Sequence, residues 1–302
     1  MAMNRSSWPK DLEAGLNAHF GMAYKEKPDE WIQFMDLETS SKAFEEDVLE
    51  VGFGAAVIKP EGGEYTYDEG GQGWLARYNH NTIALAFAMT QEALEDNLYG
   101  SVGAKYAKEL ARALKRTKEI RCANLLNNAA TSGYNGGDGV PLLSTIHPLW
   151  GGGTASNTLA TPADLSESAL EDILVQISNC TDDRGTPIGL RAIRLVIPPQ
   201  LQFIARRILG SERQSGTANN DVNAIRVMNV FNTEPAIVTR LIDSDAWFVK
   251  TDVSDGMKLF QRKKIERGTT EDYKTGNMIY TARERYSEGW TDWRAIAGSM
   301  GG

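Results

Sequence analysis

Cysteine, histidine and positive charge are all scarce in this chain of 302 residues. Two cysteines, Cys122 and Cys180, are too few for a disulfide framework or a zinc cage, and they fit a reducing compartment. Lys and Arg number 32 against 40 Asp and Glu, a net charge of -8. That balance argues against a protein whose main task is gripping nucleic acid through its phosphates. The opening MAMNRSSWPKDLEAG lacks the apolar core of a secretory signal. The longest unbroken apolar run, Ile83 to Met89, is far short of a membrane span. The expectation is a soluble protein made in the cytoplasm.

Catalytic signatures are missing as well. The chain has no G-x-x-x-x-G-K-[ST] phosphate loop, no H-E-x-x-H, no G-x-S-x-G elbow and no C-x-x-C. The three histidines, His19, His80 and His147, fall in three separate regions. His147 follows Ser144 in STIHP, but no acidic residue in that run would orient it as a base. A loop-stabilising hydrogen bond is the expected role. Gly151–Gly153 has neither a preceding strand nor a following lysine, so a turn is expected rather than an anion cradle. Asp182-Asp183 and Arg262-Lys263-Lys264 read as solvated turns or strand edges. The expectation is no enzyme, no cofactor and no metal site.

What is present is a foldable composition, 41% hydrophobic and 24% charged. Residues 1–50 carry 11 acidic and 5 basic residues, with short helical patches at Leu12–Phe20 and Trp31–Leu37. Their low apolar density predicts an extended arm. From Gly52 to Gly73, seven of 22 residues are glycine. Beyond them Ile83, Leu85, Phe87 and Met89 alternate with Ala84, Ala86 and Ala88, the period of a strand. Phe53–Ile58 offers a matching first strand, which predicts a long hairpin with a glycine-rich tip.

A helix is predicted from Thr90 to about Ala130, with Thr90 as cap and Glu92, Glu95 and Asp96 at its positive end. Its apolar stripe, Leu94, Leu98, Val102, Tyr106, Leu110 and Leu114, recurs every four residues and so winds around the helix. About 40 helical residues span roughly 60 Å. A compact domain of this length is only about 50 Å across. The subunit must therefore be elongated, with extensions that only a partner can bury.

Downstream the pattern is mixed. A helix is predicted from Thr161-Pro162 through Cys180, a buried strand from Gly189 to Ile197, and a helix from Gln200 to Leu209. Short strands are expected near Arg226–Val230, Ala236–Arg240 and Trp247–Lys250, followed by an antiparallel pair at 257–267 and 276–286.

Four stretches carry a family resemblance: FEEDVLEVGFG at 44–54, YTYDEGGQGWLARYNHNTIALAFAMTQEALEDNLYG at 65–100, VPLLSTIHPLWGGGTASN at 140–157, and TGNMIYTARERYSEGWTDWR at 275–294. With these the chain resembles, end to end, the major capsid (major head) proteins of tailed double-stranded DNA bacteriophages. The resemblance implies an α+β subunit of the Hong Kong 97-type capsid fold. Its expected parts are an N-terminal arm (1–50), an extended β-hairpin loop (51–89), a peripheral domain with a long spine helix (90–139 and 245–302), and an α/β axial domain (140–244). It implies self-assembly into pentamers and hexamers of an icosahedral head enclosing double-stranded DNA, in a virion assembled in the host cytoplasm.

The implied partners are copies of itself, a separate scaffolding protein, a portal, a decoration protein, and packaged DNA held without sequence preference; no membrane is involved. A scaffolding region ahead of the arm is not expected, and neither is lysine–asparagine cross-linking, since Lys59 is the only lysine between residues 43 and 104. Two other readings are an encapsulin-like nanocompartment shell and a soluble α/β enzyme with an unrecognised site. Charge suggests one assembly contact. Residues 29–50 hold eight acidic residues and one lysine, while Lys105–Arg121 holds seven basic and two acidic. Glu45, Glu46 and Asp47 are expected to face some of Lys108, Arg112, Lys115 and Arg116 across a subunit boundary. An arm on its own spine helix and a solvated basic face are the alternatives.

Overall fold

In the computed structural model, residues 8–90, 99–213, 221–231 and 233–302 are described. The chain opens with α1 (Trp8–Tyr24), a 3-10 turn at Trp31–Gln33, and the short strand β1 (Asp36–Thr39). β2 (Phe44–Val51) leads into a long loop and returns as β3 (Gly71–Asn79); β4 (Asn81–Met89) follows directly. The long helix α2 runs from Tyr99 to Asn127, 29 residues and so about 43 Å. Thr90 stands outside it, and Glu92, Leu94, Glu95, Asp96 and Leu98 lie outside the described residues.

The second half holds β5 (His147–Pro148), β6 (Thr154–Ala155), α3 (Glu167–Ser178), β7 (Ala192–Ile197), α4 (Gln202–Gly210), α5 (Ala224–Val227) and β8 (Ala236–Ile237). It ends with β9 (Trp247–Thr251), β10 (Met257–Glu271), β11 (Met278–Trp290) and β12 (Ile296–Ser299). Two four-stranded sheets organise this α+β fold, ordered β1-β10-β11-β4 and β12-β9-β7-β8. The predicted pair at 257–267 and 276–286 is β10–β11, antiparallel, with register shifts between Gln261 and Glu266.

In the second sheet alternate residues feed two cores, as the period of a strand requires. Val196, Phe248 and Ile296 enter one core with Trp31, Phe34, Cys122 and Leu126. Leu195, Ile197, Trp247, Val249 and Ala297 enter the other, where Ala169, Leu170, Ile173 and Ile177 of α3 cover them. A Cβ at Gly298 would lie 2.3 Å from the Trp247 carbonyl oxygen, so only glycine lets β12 close on β9.

Several elements differ from their sequence prediction. The alternating strand β4 exists, but its partner is β11 rather than Phe53–Ile58, in a register running from Met278↔Met89 to Tyr286↔Asn81. The hairpin is instead β2–β3, paired from Phe44↔Asn79 to Val51↔Gly71. Phe53–Ile58 is irregular and largely exposed, because glycines and Pro60 surround it and no sheet offers it an apolar face. Residues 8–50 are more structured than an extended arm. α1 spans 17 residues, and its Leu16, Phe20 and Ala23 pack with Ala107, Leu110, Ala111 and Leu114 of α2. α3 begins at Glu167, not at Thr161-Pro162, because the Ser166 hydroxyl caps it by accepting the Ala169 N–H at 3.2 Å. Arg226–Val230 is not a strand: Asn223 caps the one-turn helix α5, and Asn229 then turns the chain with φ +50°.

Candidate assembly surfaces

The loop between β2 and β3 is largely uncovered. Phe53, Val57, Ile58, Tyr65 and Tyr67 are exposed along it, Ile58 at 93% and Tyr67 at 92%. Large apolar side chains in one exposed segment mark a surface that something else covers. The whole chain presents the same excess. It exposes 17502 Å², whereas a compact monomer of this mass exposes about 12,600 Å². The difference, roughly 4,900 Å², is that of a chain less compact than a globular monomer of its mass.

α2 is the axis on which the other surfaces are built. Its buried positions recur three or four residues apart, from Ala107 and Leu110 through Leu114 to Cys122 and Leu126. The predicted stripe does wind: Leu110 and Leu114 are buried, while Val102 and Tyr106 are exposed. Charged groups on the inner side meet β11 in a buried seam. Lys118 pairs with Glu284 at 2.6 Å and Arg121 with Glu288 at 2.6 Å. The Tyr286 ring lies between them, 4.8 Å from the Lys118 ammonium and 5.7 Å from the Arg121 guanidinium. Burial pushes the Glu284 and Glu288 carboxyls upward, opposed by their cations.

The seven charged residues singled out in the sequence fall into two groups that do not meet within the subunit. Glu45 accepts from Ser40 at 2.7 Å and from Lys42 at 2.9 Å, and Glu46 lies 3.7 Å from Arg77. Asp47 pairs with Lys258 at 2.5 Å and accepts from the Thr291 hydroxyl at 3.0 Å. Lys258 also reaches Asp255 at 2.6 Å and Glu38 at 3.2 Å; burial pulls its ammonium pKa down, but the bonds it donates to Asp255 and Asp47 hold it above its ordinary value. On α2, Arg112 holds Glu26 at 2.9 Å and Glu109 at 2.6 Å, and Lys115 holds Asp29 at 2.8 Å. Lys108 and Arg116 form no ion pair among the described residues; Arg116 lines a cleft of about 510 Å³ together with Arg240 and Lys27. Within the subunit this basic helix is met by Glu26 and Asp29 rather than by residues 45–47.

Three polar anchors were not legible in the sequence as a set. Glu119 accepts the Glu30 and Trp31 N–H groups at 2.8 and 3.1 Å, and burial pushes its carboxyl up to about 7. His80 bridges the Ser40 and Ser287 hydroxyls at 2.9 Å each. His147 is fully buried, stacked on Trp293 at 4.3 Å, with Asp138 at 2.6 Å and Asn157 at 3.2 Å. Asp138 is the orienting acid that the STIHP run itself lacked. The imidazole is nevertheless sealed from solvent and has both nitrogens engaged, so it braces the loop.

The model of one protein family, phage capsid protein, matches residues 76–299, about three quarters of the chain. This chain belongs to the phage capsid protein family. It is a capsid shell protein, and self-association into a shell follows from that membership. Solved structures agree on the fold. The capsid of a native GTA particle matches with a TM-score of 0.57 at 12% identity, covering 90% of each chain. The procapsid of bacteriophage JBD30 matches at TM-score 0.52 and 13% identity, covering 98% of this chain and 76% of that one. A virus-like particle from Pyrococcus furiosus matches at TM-score 0.50 and 12% identity, covering 94% and 97%. The α+β architecture is thus that of the Hong Kong 97-type capsids. No curated protein matches the chain.

Proposed function

We propose that this capsid protein is the major head subunit of a tailed bacteriophage. It closes an icosahedral shell as pentamers and hexamers around double-stranded DNA, in the host cytoplasm. The carrying observation is the exposed 52–70 loop, whose apolar side chains only a neighbouring copy would cover. The proposed parts are the arm at 1–50, the extended loop at 51–89, the peripheral domain at 90–139 and 245–302, and the axial domain at 140–244. A separate scaffolding protein, a portal and a decoration protein complete the assembly.

The role is structural, with no chemical step assigned to any residue. No helix among the described residues is long and apolar enough to cross a membrane. The net charge of -8 suits a shell that encloses DNA without clamping it. Electron microscopy of purified protein tests the proposal: closed particles are expected, and a small soluble oligomer at every concentration overturns it. Deleting residues 60–72 is expected to leave a folded subunit that assembles poorly; normal shells from that variant would remove the loop from the mechanism.

The same fold builds a virus-like particle, and the second reading is an encapsulin-like nanocompartment, a shell around protein cargo in place of DNA. Nuclease-protected DNA inside the particles favours the head, and a co-purified enzyme favours the nanocompartment.

A further inference from the structure

The 52–70 loop has an anchor outside itself. The β2–β3 ladder ends at Val51↔Gly71, so backbone pairing stops at the loop's root. Just beyond, Asp68 gathers both limbs. Its Oδ2 accepts the Gly54 N–H at 2.7 Å and its Oδ1 accepts the Glu69 N–H at 2.9 Å. Arg184 Nη1 donates to both carboxylate oxygens at 3.0 Å, and Arg184 Nη2 donates to the Glu69 carbonyl. One guanidinium therefore grips the returning limb directly and the outgoing limb through Asp68.

Arg184 is itself held rigidly. It sits in a turn where the Asp182 N–H donates to the Thr186 carbonyl at 2.8 Å, and Asp182 Oδ1 accepts the Arg184 and Thr186 N–H groups at 2.8 Å each. Behind the turn Arg294, only 4% exposed, reaches Asp183 at 3.3 Å and donates from Nε to the Thr181 carbonyl at 3.1 Å. Trp150 fills the remaining angle. Its ring lies 5.6 Å from the Arg184 guanidinium, and a Cβ on Gly71 would come within 2.8 Å of it. The links run from the buried Asp292–Arg294 pair through the 181–186 turn to the loop root.

We propose that Arg184 is the positioning residue of the extended loop, setting the direction in which the loop leaves the subunit and meets its neighbour. This rests on the shell-forming reading above. An exposed ion pair alone contributes little. A forked guanidinium that also takes a backbone carbonyl, mounted on a buried anchor, constrains direction as well. The Gly54 N–H and then the Arg184 guanidinium hold the Asp68 carboxyl below the usual carboxylate range, so the clamp stays charged at neutral pH.

Hydrogen exchange on unassembled protein, with particle yield measured in parallel, tests this. In Arg184→Ala the Gly54 and Glu69 amides, the two that Asp68 holds, are expected to exchange about tenfold faster, while β7 and β9 stay protected. Arg184→Lys keeps the charge without the fork and is expected to fall between. Raising NaCl from about 0.1 to about 1 M should speed loop exchange in the parent but not in Arg184→Ala. Shell yield should fall with loop protection across the series. Unchanged loop exchange in Arg184→Ala overturns the clamp, and faster exchange with normal shells overturns its role in positioning. If the parent forms no particles while loop exchange responds as stated, the clamp stands and the shell-forming reading fails.

Discussion

Glu119 shows how one buried carboxyl can tie a fold to pH. It receives two N–H groups from the arm turn, yet burial raises its pKa from 4.5 to about 7. A carboxyl with a raised pKa in the folded state contributes stability that is complete below the unfolded value of 4.5 and is lost as pH rises through 7. The protein is therefore expected to be more stable near pH 5 than near pH 8, by at most about 3 kcal/mol from this group. Glu284 and Glu288, raised by burial, act with the same sign, while His80, lowered by burial, acts against it in the same window. Denaturant midpoints at the two pH values check this: Glu119→Gln should lose part of the slope and keep the rest. A slope as steep as the parent's would show that Glu119 is not the titrating group.

Asn157 is the second residue whose loss has a named cause. Its Nδ2 faces the carbonyls of Leu142, Trp293 and Ile296 at 2.6, 3.2 and 2.8 Å. Its Oδ1 accepts the Ser144 N–H at 2.9 Å and faces His147 Nε2 at 3.2 Å. Asn157→Leu keeps most of the volume but strands several buried polar groups, at about 2–4 kcal/mol. Equilibrium unfolding measures it, and a loss under about 0.5 kcal/mol would mean that the surroundings relax to repair the site.

Among the elements, α1 decides whether the arm belongs to the subunit or only to the shell. Phe20 is 1% exposed in the cluster with Leu110, Leu114 and Tyr280. Phe20→Ala should cost the unassembled subunit about 3 kcal/mol, read from its unfolding midpoint. No change would place the α1–α2 contact outside the subunit's own stability. The sequence made β10–β11 and the core of α3 legible because periodicity is a local signal. It concealed the partner of β4, since β11 lies far downstream and alternation says nothing about which strand pairs. Phe53–Ile58 misleads for a related reason: strand propensity needs a pairing partner, and the β2–β3 ladder ends just before it at Val51↔Gly71. The polar anchors are hidden likewise, with Asp138 outside the STIHP run and Arg184 far from the loop it holds.

At the scale of the whole molecule, charge and assembly can now be separated. Alanine at Glu45, Glu46 and Asp47 together would confuse two effects, because Asp47 is bound to Lys258, whose side chain is only 5% exposed. Asp47→Ala alone should lower subunit stability by about 1 kcal/mol. Glu45 and Glu46 hold only Lys42, Ser40 and Arg77 near the surface, so their removal should leave the unfolding midpoint within about 2 °C of the parent. In a shell the same two carboxylates would face whatever the neighbour presents, and Lys108 and Arg116 of α2 are cations without an ion pair among the described residues. Each such pair is weak and screened by salt. Repeated at every subunit boundary, it would shift the salt range of assembly without touching the monomer. Light scattering across a NaCl titration of the Glu45→Ala/Glu46→Ala variant is the measurement, and weaker assembly with a flatter salt dependence is the expected result. If yield and salt dependence match the parent, no carboxylate at 45 or 46 crosses a boundary. The arm is then held by what the subunit already shows, Leu16 and Phe20 against α2 and Trp31 and Phe34 in the main core.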